Sequence, residues 1–324
     1  MHEFTQEVEE LAKAVMEYSL ERLKSNPPLD GPRSEQDLYA ELGNTITPQG
    51  LGGKQTLKVF TETLALACIS TDHPRNLAFI PSAPSEYANL FDLVVGASSL
   101  YGGSWQEGAG AVFAENQALK WLIDIAGLPK NAGGVFVQGG TMGNLSALVV
   151  ARDQARKAHP KVKRWVIACS AESHSSITSA AHVMDVDVLK VATNSENRLD
   201  GAHVAAAIDE LHAGSDSRVF AIVGTAGTTN LGIVDDLATL AECAQKRNIW
   251  FHVDGAYGLA GLCAPSVRNL FNGVEYADSF IVDPHKWLFA PYDACALVYR
   301  NPELARETHT QHASYLETLP DDSS

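Results

Sequence analysis

Residues 278–287 have the sequence DSFIVDPHKW, in which an apolar run ends in a polar cluster that contains Asp283 and Lys286. A short apolar run bounded by polar or turn residues is typical of a strand buried on both faces of a sheet. Residues 249–258, IWFHVDGAYG, repeat this pattern and place Asp254 where the apolar run stops. Both stretches therefore predict buried strands with polar side chains at their carboxyl ends.

The same pattern extends through most of the chain after residue 133. Strands are predicted at Gly134–Gln138, Arg164–Cys169, Val186–Val191, Val219–Gly224, Ile249–Asp254, Asp278–Asp283 and Ala294–Tyr299. Helical patterns lie between several of them, at Asn144–Lys157, Ala202–His212 and Leu237–Arg247. Apolar strands that alternate with helices predict an α/β fold with a mainly parallel sheet of seven strands between helices. The last strand follows its predecessor without an intervening helix, so we expect it to run antiparallel.

The region before this sheet is expected to be helical. Residues 3–24 carry apolar side chains near helical spacing and predict an amphipathic helix, and another helix is expected to begin near Lys54. The resulting domain prediction has an N-terminal helical segment at 1–70, an α/β domain at 71–300 and the start of a C-terminal region at 301–324.

Composition narrows the functional class. The 324 residues include 24 Lys plus Arg against 39 Asp plus Glu, a net charge of −15, which argues against a nucleic-acid partner. No apolar run is long enough to cross a bilayer, and the acidic N-terminus does not resemble a secretory signal. The five cysteines form no C-x-x-C pair, so we expect reduced thiols, no metal site and a cytoplasmic location.

Lys286 and Asp254 are the strongest candidates for chemistry. Lys286 precedes Trp287 and further apolar residues, and the loss of hydration there favours a neutral, nucleophilic amine suited to Schiff-base formation. Asp254 at a buried strand end needs a partner, and a protonated pyridine nitrogen would be a suitable one. The structural alternatives are a lysine that extends from a strand end to the surface and an acid that caps the next helix.

Three further loops follow predicted strands. Gly139, Gly140 and Thr141 precede a helix, where backbone N–H groups and the helix dipole favour an anion, although a tight turn without ligand has the same composition. His174 follows the second strand and Thr229 follows the fourth. Ligands of open α/β sheets bind at the carboxyl ends of strands, so these clusters are expected to share one site.

These motifs resemble the pyridoxal 5'-phosphate (PLP)-dependent decarboxylases of the aromatic-amino-acid and glutamate decarboxylase family, which have the aspartate-aminotransferase-type fold. The resemblance depends on Asp283-Pro284-His285-Lys286-Trp287, His252-Val253-Asp254-Gly255-Ala256-Tyr257-Gly258, Ser173-His174-Ser175-Ser176 and Gly227-Thr228-Thr229. A weaker match extends back to about His73-Pro74. It implies α-decarboxylation of an L-amino acid to an amine and carbon dioxide by a homodimer.

The resemblance also implies the role of each site residue. Lys286 would hold the cofactor as a Schiff base, Asp254 would pair with its pyridine nitrogen and His174 would stack on its ring. Residues expected around the phosphate are Gly140, Thr141, Asp283 and His285, with Ser82 from the same or the neighbouring subunit. Residues expected around the ring and its 3-hydroxyl are Thr229 and Ala256.

The chain departs from this family pattern in two places. The family carries a large C-terminal domain and a mobile loop with a catalytic tyrosine, whereas this sequence stops at Ser324, so we expect a partial protein with weak or absent turnover. Gly103 stands where aromatic-amino-acid decarboxylases have a bulky aromatic residue, and Tyr101 is expected to replace part of that bulk. The alternative functions are another PLP reaction, such as transamination or carbon–sulfur cleavage, and a PLP-binding chain that needs a second polypeptide.

Overall fold

The computed structural model describes residues 3–77 and 79–310, which fall into two compact units divided between Glu86 and Tyr87. The predicted domain boundary between residues 70 and 71 stays a prediction. Residues 311–324, which belong to the predicted C-terminal region, lie outside the described residues. Within the described ranges, no helix combines the length and the apolar character that a membrane span requires.

The N-terminal unit is helical, as predicted. Its α-helices are α1 (Gln6–Lys24), α2 (Glu35–Leu42) and α3 (Gly53–Val59), and α3 continues as a π-helical turn over Phe60–Leu64 and a 3₁₀ turn over Ala65–Ala67. Helix α1 begins after Thr5, whose hydroxyl accepts a hydrogen bond from the Val8 amide at 3.4 Å. This cap places the first helical residue later than the predicted position 3.

The second unit contains the predicted seven-stranded sheet. Its strands are β1 (Gly133–Val137), β2 (Trp165–Ser170), β3 (Asp187–Val191), β4 (Arg218–Thr225), β5 (Trp250–Asp254), β6 (Ser279–Val282) and β7 (Cys295–Tyr299). Their order is β1-β7-β6-β5-β4-β2-β3. Strand β7 runs antiparallel to β1 and β6, and all other pairs are parallel, which confirms the expected antiparallel last strand.

Helices cover both faces of this sheet. They are α5 (Trp105–Ala126), α6 (Gly139–Ala158), α7 (Ser175–Met184), α8 (Gly201–Gly214), α9 (Leu237–Arg247) and α10 (Pro302–His309), whereas none of the described residues of α4 (Glu86–Ala97) is buried. Helices α5, α8 and α9 share one buried apolar cluster with the sheet. Helices α6 and α7 contribute to clusters on the opposite face, where Ile167, Ile281 and Leu297 are buried. The α/β fold class is therefore confirmed.

Helix α6 begins five residues earlier than the predicted start at Asn144, so the expected glycine loop is the first part of the helix. Close packing on the sheet explains the glycines. A Cβ atom at position 143 would lie 2.8 Å from both Cys295 Sγ and Ile281 Cγ2. The glycines therefore allow α6 to approach β6 and β7 closely. This packing stabilises helix over residues 139–143, although the low helix propensity of glycine predicts a loop there.

Candidate active site

The predicted clusters meet at one edge of the sheet. Strands β2, β4, β5 and β6 are parallel, so Thr225, Asp254 and Ile281 are neighbours in register near their carboxyl ends. The carboxyl end of β1 reaches the same edge because Val137 pairs with Cys295 at the start of β7. The loops after these strands therefore lie at one edge of the sheet, where the sequence predicts a shared site.

Lys286 lies inside this site and forms an ion pair. Its Nζ atom is 2.9 Å from Asp283 Oδ2, and the relative exposures of the two residues are 8% and 2%. The Asp283 amide donates to the Ala256 carbonyl at 2.9 Å, which fixes the Asp283 backbone against the loop after β5. The second oxygen, Asp283 Oδ1, is buried and has no hydrogen-bond partner among the described residues.

His285 is held beside this pair by the start of β7. Its Nδ1 atom lies 2.9 Å from the Ala294 carbonyl oxygen and 3.2 Å from the Ala294 amide. Its Nε2 atom is 3.9 Å from Asp283 Oδ2, and its ring packs edge-on against Tyr292. His285 is therefore buried between the Lys286 loop and β7.

Asp254 ends β5 with both carboxylate oxygens hydrogen-bonded. Oδ2 accepts from Asn144 Nδ2 at 2.9 Å, and Oδ1 accepts from the Ala256 amide at 3.2 Å. The bond to Ala256 is a local turn, whereas the next helical segment, Gly258–Cys263, begins after Tyr257 without a side-chain cap, so Asp254 does not cap it as the structural alternative predicts. The bond to Asn144 comes from helix α6 and holds the carboxylate toward the face of the sheet on which α6 packs.

Asn144 and His252 were not predicted as site residues. His252 Nε2 lies 2.8 Å from Asn144 Oδ1, and His252 Nδ1 lies 2.8 Å from Ser279 Oγ. Complete burial lowers the pKa of His252 well below its ordinary value, an effect that the nearby Asp254 carboxylate opposes. Their spacing could have indicated both residues. His252 is two residues from Asp254 and therefore on the same face of the strand, and Asn144 is one helical turn beyond Gly140.

His174 is the N-cap of α7, and its ring is exposed at the site. Its Nδ1 atom accepts from the Ser176 amide at 3.2 Å and lies 2.9 Å from Ser176 Oγ. The capping contacts involve the Nδ1 atom, whereas His174 as a whole remains exposed. The capping alternative and the predicted contact with a cofactor ring are therefore compatible.

The predicted phosphate loop forms the first turn of α6. Gly139 has φ +74° and Gln138 provides no side-chain cap, so the first amides of the helix lack that partner. A Cβ atom at Gly140 would lie 3.1 Å from Asp283 Oδ2, so a larger residue would fill the space beside the Lys286 loop. Thr141 is exposed at the same turn.

The loop after β4 carries Thr229, which is exposed. Gly227 has φ +98°, and a Cβ atom there would lie 3.0 Å from Gly258 Cα, so this turn requires glycine. The loop is held by the buried Asp235 carboxylate, which accepts from the Thr225 amide at 2.8 Å. Burial raises the pKa of Asp235 to about 6.

Two further residues were singled out in the sequence. Ser82 belongs to the N-terminal unit, and its place near the phosphate stays a prediction. Tyr101 packs its ring against Gly103, where a Cβ atom would contact Tyr101 Cζ and Oη. Tyr101 thus occupies the space that a side chain at position 103 would need, in agreement with the expected replacement of bulk.

The residues at this edge fit PLP. A buried amine and a buried carboxylate end neighbouring strands, and the glycine turn leaves room that a Cβ atom would fill. The uncapped amides of α6 suit a phosphate group. The buried Asp283 Oδ1 atom, which has no hydrogen-bond donor in the described part of the chain, leaves an acceptor open beside Lys286.

The seven-stranded sheet with one antiparallel strand, between layers of helices, has the α/β architecture of PLP fold type I. Residues 47–323 match the family model for the pyridoxal-dependent decarboxylase conserved domain, and the chain belongs to this family.

Similar curated proteins carry related names. An aromatic-L-amino-acid decarboxylase of Bacillus atrophaeus is 31% identical over 301 residues, covering 92% of this chain and 62% of the relative. An L-2,4-diaminobutyrate decarboxylase of Rhizobium meliloti is 32% identical over 234 residues, covering 71% of this chain and 46% of the relative. The chain thus spans about half to three-fifths of the length of these relatives.

Solved structures give the same result for the fold. Mouse CSAD aligns with a TM-score of 0.87 at 26% identity, covering 94% of this chain and 66% of that chain. Oryza sativa TDC with PLP and tryptamine aligns with a TM-score of 0.89 at 25% identity, covering 97% of this chain and 68% of that chain.

Proposed function

We propose that this chain provides the site of a PLP-dependent L-amino-acid α-decarboxylase, with Lys286 as the residue that binds the cofactor covalently. The main support is the juxtaposition of buried Lys286 and buried Asp254 after neighbouring parallel strands. When bound, the cofactor supplies an electron-accepting ring for the electron pair released as the Cα–carboxylate bond breaks. Membership of the pyridoxal-dependent decarboxylase family supports the reaction type.

In this proposal Asp254 holds a proton on the ring nitrogen. Its carboxylate is buried and accepts hydrogen bonds from Asn144 and from the Ala256 amide, so its orientation is fixed. A carboxylate in such a site favours a cationic partner strongly because little water competes. This charge would keep the nitrogen of a bound pyridine ring protonated.

Asp283 acts on Lys286. Its Oδ2 atom is 2.9 Å from Lys286 Nζ and would accept the proton that the amine must release before it can form a covalent bond. The first amides of α6 and the hydroxyl of Thr141 would hold the phosphate. His285 and Gly140 would complete the phosphate pocket beside Lys286.

The exposed side of the site would receive the substrate. His174 and Thr229 present exposed side chains there, and His174 would lie on the ring face, with Ala256 and Thr229 at its edge. Such placement would orient the bond between Cα and the substrate carboxylate perpendicular to the ring. In this geometry the bond breaks most easily. Relatives named for aromatic amino acids and diaminobutyrate support L-amino acids as the substrate class.

The proposal is tested with purified protein, PLP and a panel of L-amino acids labelled at the carboxyl carbon. We expect slow release of labelled carbon dioxide with formation of the corresponding amine, in line with the weak turnover expected from the sequence, and no labelled carbon dioxide from the Lys286→Ala variant. Lys246→Ala is the matched control because that lysine is exposed on α9. Label retained in a keto-acid product would show that the reaction is transamination and not decarboxylation. No reaction with any substrate would contradict the proposal.

We also propose that the chain forms a homodimer through α4. This helix has the sequence EYANLFDLVVGA, and none of its described residues is buried. Exposed apolar side chains include Tyr87, Phe91 and Val94, and a helix this apolar normally packs against a partner.

The five free cysteines support a cytoplasmic location.

Sedimentation equilibrium tests the dimer. We expect twice the 34.8 kDa mass of the chain, and about the single-chain mass for a Phe91→Glu, Val94→Glu double variant. Leu270→Glu, which changes an exposed leucine elsewhere in this unit, is the control and should remain dimeric. A wild-type protein that sediments as a monomer would contradict this proposal.

A further inference from the structure

Asn144 has a central position in a buried hydrogen-bond network that joins two predicted cofactor contacts. Its Nδ2 atom donates to Asp254 Oδ2 and to Ser176 Oγ, both at 2.9 Å. Ser176 Oγ in turn lies 2.9 Å from His174 Nδ1. We propose that Asn144 is a positioning residue that fixes Asp254 and His174 as one unit, an inference that rests on the proposed cofactor site.

The side-chain amide of Asn144 determines which atom donates and which accepts in each hydrogen bond of this network. Both hydrogens of Asn144 Nδ2 are used, and Oδ1 can only accept, so His252 must carry its proton on Nε2. His252 Nδ1 then accepts from the Ser279 hydroxyl, whose oxygen accepts from Trp250 Nε1 at 2.9 Å. The indole can only donate, so it starts this chain of hydrogen bonds.

The hydrogen bonds through Ser176 determine which ring nitrogen of neutral His174 carries the proton. Ser176 Oγ accepts from Asn144, so its own proton is free to bond His174 Nδ1, which also accepts from the Ser176 amide. An Nδ1 atom that accepts twice carries no proton, and neutral His174 is therefore protonated on Nε2. This places its N–H group on the side away from the network.

Reversal of the amide is disfavoured. It would direct Asn144 Oδ1 at the Asp254 carboxylate and Nδ2 at the Nε2 proton of His252. Asn144, Ser176, His252 and Ser279 have relative exposures of 1%, 3%, 0% and 0%, so water cannot replace a lost partner. The network therefore holds Asp254 and His174 in place before a cofactor binds.

The first test uses the protein without cofactor and is independent of any activity. Nuclear magnetic resonance of ¹⁵N-labelled histidine reports which ring nitrogen carries the proton. We expect His252 as a single Nε2-protonated, neutral ring that does not titrate between about pH 5.5 and about pH 8, with assignment by a His252→Gln variant. The charged group that faces His252 is Asp254. An Nδ1-protonated or charged His252 would overturn the inference.

The second test separates positioning from general structure. Asn144→Asp keeps an acceptor for His252 but replaces the donor to Asp254 with a like charge, whereas Asn144→Leu removes both contacts with similar volume. We expect Asn144→Asp to preserve the His252 tautomer yet weaken cofactor binding, measured by the visible absorbance of the lysine-bound cofactor, by roughly tenfold or more. Asn144→Leu should lose the tautomer and weaken binding as well.

Ser176→Ala isolates the other branch, because it should alter the His174 resonances and leave those of His252 unchanged. The control is Asp278→Asn, which perturbs a carboxylate that accepts from the Phe251 amide at the opposite end of the sheet. It should lower stability without changing the tautomers or the cofactor affinity. Unchanged cofactor affinity in both Asn144 variants would overturn the inference. Absent decarboxylation with these binding effects intact would overturn only the proposed function.

Discussion

Lys286 Nζ lies 2.9 Å from Asp283 Oδ2, three residues earlier in the chain, in a pocket that excludes nearly all solvent from both side chains. The turn after β6 produces this contact, because the Lys286 amide donates to the Asp283 carbonyl at 3.0 Å. A buried ammonium is costly without a partner, and Asp283 supplies one from the same loop. The lysine is thereby held at the edge of the sheet that carries Asp254.

A double-mutant cycle measures this ion pair in the protein without cofactor. Asp283→Asn or Lys286→Met alone leaves one buried group without its charged partner, and each should lower the free energy of unfolding by about 2–4 kcal/mol. The double variant should lose less than the sum of the two, with a coupling of about 1–3 kcal/mol. Denaturant unfolding gives all four values, and additive single effects would contradict the pair.

Replacement of Gly143 by alanine should destabilise the protein. The added Cβ atom would lie 2.8 Å from Cys295 Sγ and Ile281 Cγ2, so α6 must shift away from β6 and β7. Overpacking of this kind costs about 1–3 kcal/mol. Gly110→Ala is the control, because that glycine lies inside α5 with no atom within 4 Å of the new Cβ, and it should stabilise by about 0.5–1 kcal/mol. Equal effects at both sites would contradict the close packing of α6.

Acid should destabilise the folded protein in part through His252. Burial lowers its pKa from 6.5 to about 4, so below pH 6.5 the unfolded chain binds a proton that the folded protein resists. Stability from this group is therefore present above pH 6.5 and decreases as the pH falls toward about 4, by at most roughly 1.4 kcal/mol per pH unit.

The His252→Gln variant tests this contribution. Its free energy of unfolding should decrease less steeply than that of the wild type across the same pH range, even if its stability at neutral pH is lower. Gly143→Ala, which removes no titratable group, should keep the wild-type slope. Identical slopes for wild type and His252→Gln would show that His252 does not contribute.

Cofactor binding should quench the fluorescence of Trp287. This residue follows Lys286 directly, and its ring stacks on Tyr257 with 4.7 Å between centroids, which holds it near the proposed attachment point. Lysine-bound PLP absorbs in the range where tryptophan emits, and energy transfer decreases steeply with distance. Titration with PLP should give strong quenching in wild type and in Trp121→Phe, and clearly less in Trp287→Phe. Equal quenching in all three would place the cofactor elsewhere.

The strands were predictable because each is buried on both faces and reads as a short apolar run. All seven predicted runs form strands, and the antiparallel β7 follows from the absence of a helix before it. The insertion of β7 between β1 and β6 was not predictable, because the order of strands depends on long-range pairing. The early start of α6 was missed for the same reason, since its glycines pack on residues more than a hundred positions away.

The amino-acid sequence was sufficient to predict which residues follow each strand and therefore which polar groups, Lys286 and Asp254 foremost, lie near the carboxyl edge of a parallel sheet. The hydrogen bonds made there became known from the folded chain: Asp283 with Lys286, and Asn144 with both Asp254 and His252. The physical reason is that strand formation follows from local apolar patterning, whereas a buried hydrogen bond depends on how closely α6 packs against the sheet.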